Sequence, residues 1–373
     1  MARGVLLTGG GTGGHIFPMT AVADQLVAGG IPAERVELVG SRRGQELALL
    51  RDSPYRLTRL PGRGLRRSWR PAAIVANIGA VLGLVAALAV ALVRIGRRRP
   101  AVVVSFGGYA AAPAAVAAIL WRRPLVLVEL DAVPGAVHRL LARFAWRRCL
   151  AFGPAGARSV VTGVPVRAEV VAVDRGDVAR AQARASLTPP VEPGRAIVVI
   201  MSGSLGSARV NDAATELARR WASRRDRTII HVTGRRDAQR VLERRPSTSG
   251  LDYRVTDFAV MAPLWCVADA AVCRAGATTV AELTVVGVPA VLVPLPGAPG
   301  GHQLANARVV EQVGGAIVVA DDQCDASSLE AALDRLLEDE HRRSYGEAAR
   351  TLGRPAAASA IAREIIAIGE WGQ

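Results

Sequence analysis

"AAIVANIGAVLGLVAALAVALV", residues Ala72–Val93, is the stretch whose reading decides the fold. Its only polar side chain is Asn77. Arg63, Arg66, Arg67 and Arg70 precede it, and Arg94, Arg97, Arg98 and Arg99 follow. As a helix its 22 residues reach about 33 Å, enough to span a bilayer. A single span would cut the surrounding chain into two halves on opposite sides. Both flanks are equally basic, so the charge rule for membrane orientation selects neither direction. The competing reading is a crossover helix between two strands of one sheet, with any surplus apolar surface turned to a membrane interface.

The neighbouring segments favour the crossover. "GVLLTG", "VELVGS" and "YRLTRLP" lie before the run; "AVVVSFG", "PLVLVEL" and "RCLAFG" lie after it. Continuous apolar strands bounded by Gly and Pro belong to parallel sheets covered on both faces. If these strands share one sheet, both ends of the run stay on one side of any membrane. A second series follows: "AIVVIMSGS", "TIIHVTG", "YRVTDF", "AAVCRAG", "PAVLVPLP" and "AIVVAD". Strands alternating with helices give right-handed βαβ units. The expectation is an α/β chain of two Rossmann-like doubly wound domains, which suits 373 residues. The division falls near "TGVPVRAEV", at 165/166, and the stretch 174–195 reads as polar and irregular.

Charge separates the two halves. Residues 1–165 hold 22 arginines against seven carboxylates; residues 166–373 hold 25 of each. The chain has no lysine, and the whole net charge of +15 sits in the half with the apolar run. Basic residues beside apolar surface suit an anionic membrane face. Nucleic acid is the other polyanion, but zinc spacing and RNP patterns are missing and aromatics for base stacking are few, so no nucleic acid partner is expected. The four cysteines form no CxxC pair, as in a reducing compartment. The N-terminal "MARGVLLTGGGTGGH" reads as an immediate strand rather than a signal peptide.

Four strand-to-helix turns carry glycine: "LLTGGGTGGHIFPM", "SFGGYAAAP", "MSGSLGSARVN" and "CRAGATTVAEL". Glycine lets a backbone approach a ligand, and a helix N-terminus offers free N–H groups to phosphate. Gly9, Gly11 and Gly14 fit G-x-G-x-x-G, but the next strand ends in Ser41, Arg42 and Arg43 where a dinucleotide site carries an acid. An NADP-dependent oxidoreductase using those arginines therefore stays open. His15 follows the first turn as a candidate base, and Glu282 could accept two hydrogen bonds from a ribose diol. Four such turns exceed what one Rossmann enzyme needs.

With these motifs in order, together with "TGVPVR", "GVPAVLVPLP" and "GGHQLANA", the chain resembles the MurG-type N-acetylglucosaminyltransferases over nearly its whole length. The resemblance implies a GT-B architecture, two Rossmann-like domains facing a central cleft. Residues 1–165 would take the acceptor and associate with the membrane; 166–354 would take the nucleotide sugar; a helix at 355–370 would return to the first domain. It implies an inverting hexosyltransferase that moves GlcNAc from UDP-GlcNAc to polyprenyl-diphosphate-linked lipid I in peptidoglycan synthesis, held peripherally on the cytoplasmic face of the membrane. By position, Thr12, Gly13 and Gly14 match the acceptor loop and His15 its catalytic histidine. Arg167 and Ser204 match donor contacts. Ala277, Thr278, Thr279, Val280, Ala281 and Glu282 match the UDP-holding helix, with Glu282 on the ribose. Gln303 matches a contact to the donor sugar. No DxD motif occurs, so neither metal nor other cofactor is required.

Departures keep alternatives open. Glu129-Leu130-Asp131 stands where the family reads E-Q-N, so Asp131 could serve as the general base or fit another acceptor. "SGSLGS" replaces "GGSQGA", which loses an amide at Leu205, and Gly300-Gly301-His302 lacks a common acid. A related UDP-sugar transferase with a different lipid acceptor, and a catalytically weakened homologue, are the other readings.

Overall fold

The computed structural model describes residues 4–10, 13–42, 49–51, 53–62, 71–203 and 206–369, with backbone only for 71–76. The chain forms two compact units, residues 1–167 with 355–373, and residues 168–354.

The first unit is built on a seven-stranded sheet. Its strands are β1 Val5–Thr8, β2 Val36–Ser41, β3 Arg56–Leu60, β4 Val102–Ser105, β5 Leu125–Glu129, β6 Arg147–Leu150 and β7 Ser159–Val161. Their order is β3-β2-β1-β4-β5-β6-β7, and every pairing is parallel. β1, β4 and β5 are buried on both faces, which is why they read as unbroken Val/Leu runs. β7 is an edge strand of three half-buried residues that the sequence reading did not include.

The helix Pro71–Arg98 connects β3 to β4, so both its ends return to one sheet. It is the one helix among the described residues long and apolar enough to cross a membrane, yet only 22% of its most apolar window is buried. Its two faces differ in side-chain size. Ala80, Ala87, Ala91 and Ile95 form the buried seam. Ala87, Ala91 and Ile95 share a core with Ala114, Ala115, Ala117 and Ala118 of the helix Ala112–Leu120. Small side chains let these helices approach closely, and Trp121 locks the contact by donating from Nε1 to the Leu92 carbonyl at 2.9 Å. A Cβ on Gly83 would stand 2.9 Å from Gly62 Cα, so the helix also rests on the chain leaving β3. The bulky residues Ile78, Val81, Leu82, Val85 and Val93 face outward instead. Their spacing follows the helical repeat, giving a continuous apolar stripe with its back to the protein.

The second unit repeats the plan with six parallel strands: β8 Ala196–Met201, β9 Arg227–Val232, β10 Asp252–Thr256, β11 Ala270–Cys273, β12 Ala290–Leu292 and β13 Ala316–Val318. Their order is β10-β9-β8-β11-β12-β13. The stretch expected to be irregular contains a helix, Asp177–Ser186. Arg180 and Arg184, one turn apart on it, reach the same carboxylate, Asp269, at 2.6 and 3.0 Å. Asp269 also accepts from the Ile197 N–H at 2.8 Å, so these ion pairs fasten the helix to the start of β8.

After residue 354 the chain rejoins the first unit. The helix Ala357–Ile368 packs on Gly13–Ala28, burying Ile361 and Ile365, and Glu364 pairs with Arg147 at 2.7 Å.

Candidate functional site

In a doubly wound sheet, ligands gather at the carboxyl ends of the strands where the winding reverses. The first sheet reverses between β1 and β4, the second between β8 and β11. The turns that leave these four strands are the four glycine turns picked out in the sequence.

At the first reversal, the turn after β1 opens the helix Gly13–Ala28. Thr12 lies outside the described residues. Gly13 and Gly14 stand at the helix start, and the Phe17 ring packs on Gly13, where a Cβ would meet it at 3.0 Å. The Arg167 guanidinium covers the same ring at 4.6 Å from its centre. This cation–π contact ties Arg167 to the helix Gly13–Ala28. His15 is half-buried beside the Gly107–Gly108 turn; a Cβ on Gly108 would stand 3.6 Å from its Nε2. Both glycines have positive φ, 86° and 78°, so the turn requires them. Asp131 is half-buried two residues beyond β5, the strand next to β4. His15, Gly13, Gly14 and Asp131 therefore share one edge of one sheet. Arg42, the other candidate cation, donates from Nε to the Arg59 carbonyl at 3.3 Å, and Arg43 lies outside the described residues.

At the second reversal, Ser204 and Leu205 lie outside the described residues. Close by in sequence, Asn211 of the helix Ala208–Arg220 braces the segment that follows β9. Its Nδ2 donates to the Thr233 carbonyl at 3.1 Å and to Asp237 Oδ2 at 3.0 Å, and its Oδ1 is 2.9 Å from His231 Nε2. Burial drives the His231 pKa down to about 4, so the ring is neutral. With Nε2 donating to Asn211, Nδ1 accepts from the Tyr253 hydroxyl at 2.8 Å. Gly206 and Gly234, at φ 84° and 78°, let the two turns cross in backbone contact.

The helix Ala277–Val286 begins at Gly276, which has no side chain to cap it. Ala277, Thr278 and Thr279 are half-buried on its first turn, where backbone N–H groups lack helical acceptors. That end carries the positive pole of the helix and suits a diphosphate. Val280 and Ala281 are buried and serve packing. Glu282 is also buried, and its Oε2 accepts from Trp265 Nε1 at 2.8 Å, which fixes the carboxylate. Gln303, on the helix His302–Gln312, accepts through Oε1 from the Leu295 N–H at 2.9 Å. Arg274 ties three of these segments together. It donates to Ser207 Oγ at 2.6 Å and to the Val293 carbonyl at 3.1 Å, and pairs with Asp321 at 2.6 Å. The braces Asn211, His231, Trp265, Phe17 and Arg274 escaped the sequence reading; all but the Phe17–Gly13 contact join residues far apart in the chain.

Two parallel doubly wound units on one chain, each with paired glycine turns at its reversal, and one with an anion-ready helix start beside a fixed carboxylate, define a two-domain glycosyltransferase that uses a nucleotide sugar. Residues 5–148 match the glycosyltransferase family 28 N-terminal domain and residues 197–363 the family 28 C-terminal domain. The UDP-N-acetylglucosamine–N-acetylmuramyl-(pentapeptide) pyrophosphoryl-undecaprenol N-acetylglucosamine transferase of Alkalilimnicola ehrlichii is 40% identical over 97% of this chain and 98% of its own length. The transferase of the same name from Salinibacter ruber is 35% identical over 98% and 97%. The crystal structure of Acinetobacter baumannii MurG, 27% identical, superposes with a TM-score of 0.75 over 98% of this chain and 99% of that one. The chain belongs to this family of UDP-N-acetylglucosamine-dependent transferases. That membership displaces the NADP oxidoreductase reading.

Proposed function

We propose that the protein transfers GlcNAc from UDP-GlcNAc to the MurNAc of lipid I, forming lipid II. The carrying observation is that one chain holds two separate reversal sites, one for each substrate, in a family whose named reaction joins those two substrates. In this reading, the second unit takes the donor. The uncapped start of Ala277–Val286 holds the diphosphate and stabilises UDP as it leaves, Glu282 accepts from the ribose, and Gln303 and Ser204 meet the donor. Arg167, a donor contact by its position in the sequence, belongs to the first unit, where it covers the Phe17 ring. The first unit takes the acceptor, with Thr12, Gly13 and Gly14 around its diphosphate. His15 or Asp131 removes the proton from the attacking hydroxyl. Direct attack at the anomeric carbon inverts it.

The acceptor is a membrane lipid, and the outward stripe of the helix Pro71–Arg98 supports peripheral attachment to the cytoplasmic face. Ile78, Val81, Leu82, Val85 and Val93 are already about half covered, so each gains roughly half of the about 1.5–3 kcal/mol that burying a fully exposed side chain yields. Arg97, Arg98 and Arg99 are exposed at its end, where each adds about 1 kcal/mol on an anionic surface. Trp121 and Trp146, also exposed, suit the interfacial layer.

The test is transfer of labelled GlcNAc from UDP-GlcNAc to a lipid I analogue by the purified protein. Label on lipid I supports the proposal. Label only on another polyprenyl lipid would replace it with the reading that Asp131 motivates, a transferase with a different acceptor.

A further inference from the structure

Beneath the Gly107–Gly108 turn runs a buried line of polar side chains. Ser105 ends β4, Glu129 ends β5, and His138 enters from the short helix Ala136–Leu141. Ser105 has no exposed surface, and Glu129 and His138 are each 3% exposed. His138 Nδ1 stands 2.9 Å from Glu129 Oε2, and its Nε2 stands 2.8 Å from Ser105 Oγ. A carboxylate only accepts, so Nδ1 carries the hydrogen; in the tautomer with hydrogen on Nδ1 alone, Nε2 accepts from the Ser105 hydroxyl. Ser105 Oγ in turn accepts from the Gly107 N–H at 3.4 Å. Arg148 stands 3.6 Å from the other oxygen of Glu129. The hydrogen bonds run unbroken from carboxylate to turn.

Ser–His–Glu is the order of a hydrolytic triad, but this serine is sealed from solvent and faces the main chain, so it is no nucleophile. What the line reaches is the turn. A Cβ on Gly107 would stand 3.6 Å from His138 Cε1 and 3.9 Å from His15 Cδ2. The two imidazoles bracket the turn: His138 is anchored in the core, and His15 stands in the candidate acceptor site.

We infer that His138, held by Glu129 and Ser105, is a positioning residue that sets the Gly107–Gly108 turn and, through it, the ring of His15. The inference rests on the proposed place of His15 at the acceptor. Misplacing a reacting group by about 1 Å costs on the order of 100-fold in rate, so such a brace is worth having although it touches no substrate.

The experiment compares full-length S105A, H138A and H138Q with the unmodified protein. It reads kcat and donor KM for transfer to a lipid I analogue, the thermal midpoint, and 15N imidazole NMR of the five histidines. S105A and H138A are expected to lower kcat about 10- to 100-fold, to leave the UDP-GlcNAc KM within about twofold, and to shift the His15 resonances. H138Q, whose amide oxygen reaches the Nε2 position and can accept from Ser105, recovers most of kcat. S105A removes a single hydroxyl, so the comparison stands even if H138A fails to fold. Unchanged kcat in folded S105A and H138A, or unmoved His15 resonances, overturns the inference. If the unmodified protein transfers nothing to lipid I, the proposed function falls, and the His15 resonances alone decide the positioning role.

Discussion

At the residue scale, the candidate site residues are those whose motif and turn are local. His15 and Glu282 stand within a few residues of glycines that mark their turns. Their braces were hidden. Glu282 depends on Trp265, 17 residues away and buried with it. E282Q keeps an oxygen for the Trp265 indole but loses the charge. It should hold the thermal midpoint while weakening UDP about tenfold, since hydrogen bonds to a charged group are worth about 1.5–3 kcal/mol. Calorimetric titration with UDP checks this, and unchanged affinity would remove Glu282 from the donor site. His231 makes a second prediction. Its folded pKa is about 4 against an ordinary 6.5, so between those values only the unfolded chain binds the proton. Stability is intact above pH 6.5 and is lost as pH falls towards 4, by up to about 3 kcal/mol. Gln at 231 cannot titrate, so H231Q should lose less stability over that interval in denaturant titrations. Parallel curves for the two proteins would show that His231 does not carry the slope.

At the element scale, the long apolar helix shows what hydropathy leaves out. Summed over Ala72–Val93, apolar character is the same for a span, a core helix or an interfacial one. The discriminating signal is side-chain size along the helical repeat: Ala80, Ala87 and Ala91 lie in the buried seam, and Ile78, Val81, Leu82, Val85 and Val93 lie outward. Two kinds of variant separate the faces. A87L forces bulk into the seam against Ala114–Ala118 and should destabilise by about 1–3 kcal/mol. The triple change V81S/L82S/V85S alters residues that are 49, 65 and 61% exposed, and should leave the thermal midpoint nearly unchanged. Flotation with anionic vesicles should show the triple variant losing most of its binding. A triple variant that floats like the parent would place the membrane contact elsewhere.

At the scale of the whole molecule, twelve of the thirteen strands among the described residues fall on the candidate strands of the sequence; the exception, β7, is three half-buried residues, too short to show periodicity. The charge division was equally legible and follows the structural units. The first unit holds 24 arginines against nine carboxylates, the second 23 of each, so the entire +15 belongs to the unit with the apolar stripe. That the chain crosses back was expected from the family resemblance alone, since no local pattern marks it. Gly353 still belongs to the second unit, where a Cβ would meet the Thr284 carbonyl oxygen at 2.7 Å, while Pro355 onward belongs to the first. Ending the chain after Arg354 would therefore strip Ile361, Ile365 and the Glu364–Arg147 pair from the unit that begins the sequence. The helix so uncovered is Gly13–Ala28, which presents Gly13, Gly14 and His15 at its start. Such a truncated chain should unfold its first unit at lower urea and lose transfer, while UDP still binds and still protects the second unit by mass action. Equal destabilisation of both units, or loss of UDP binding with transfer, would mean that the returning helix serves the donor unit instead.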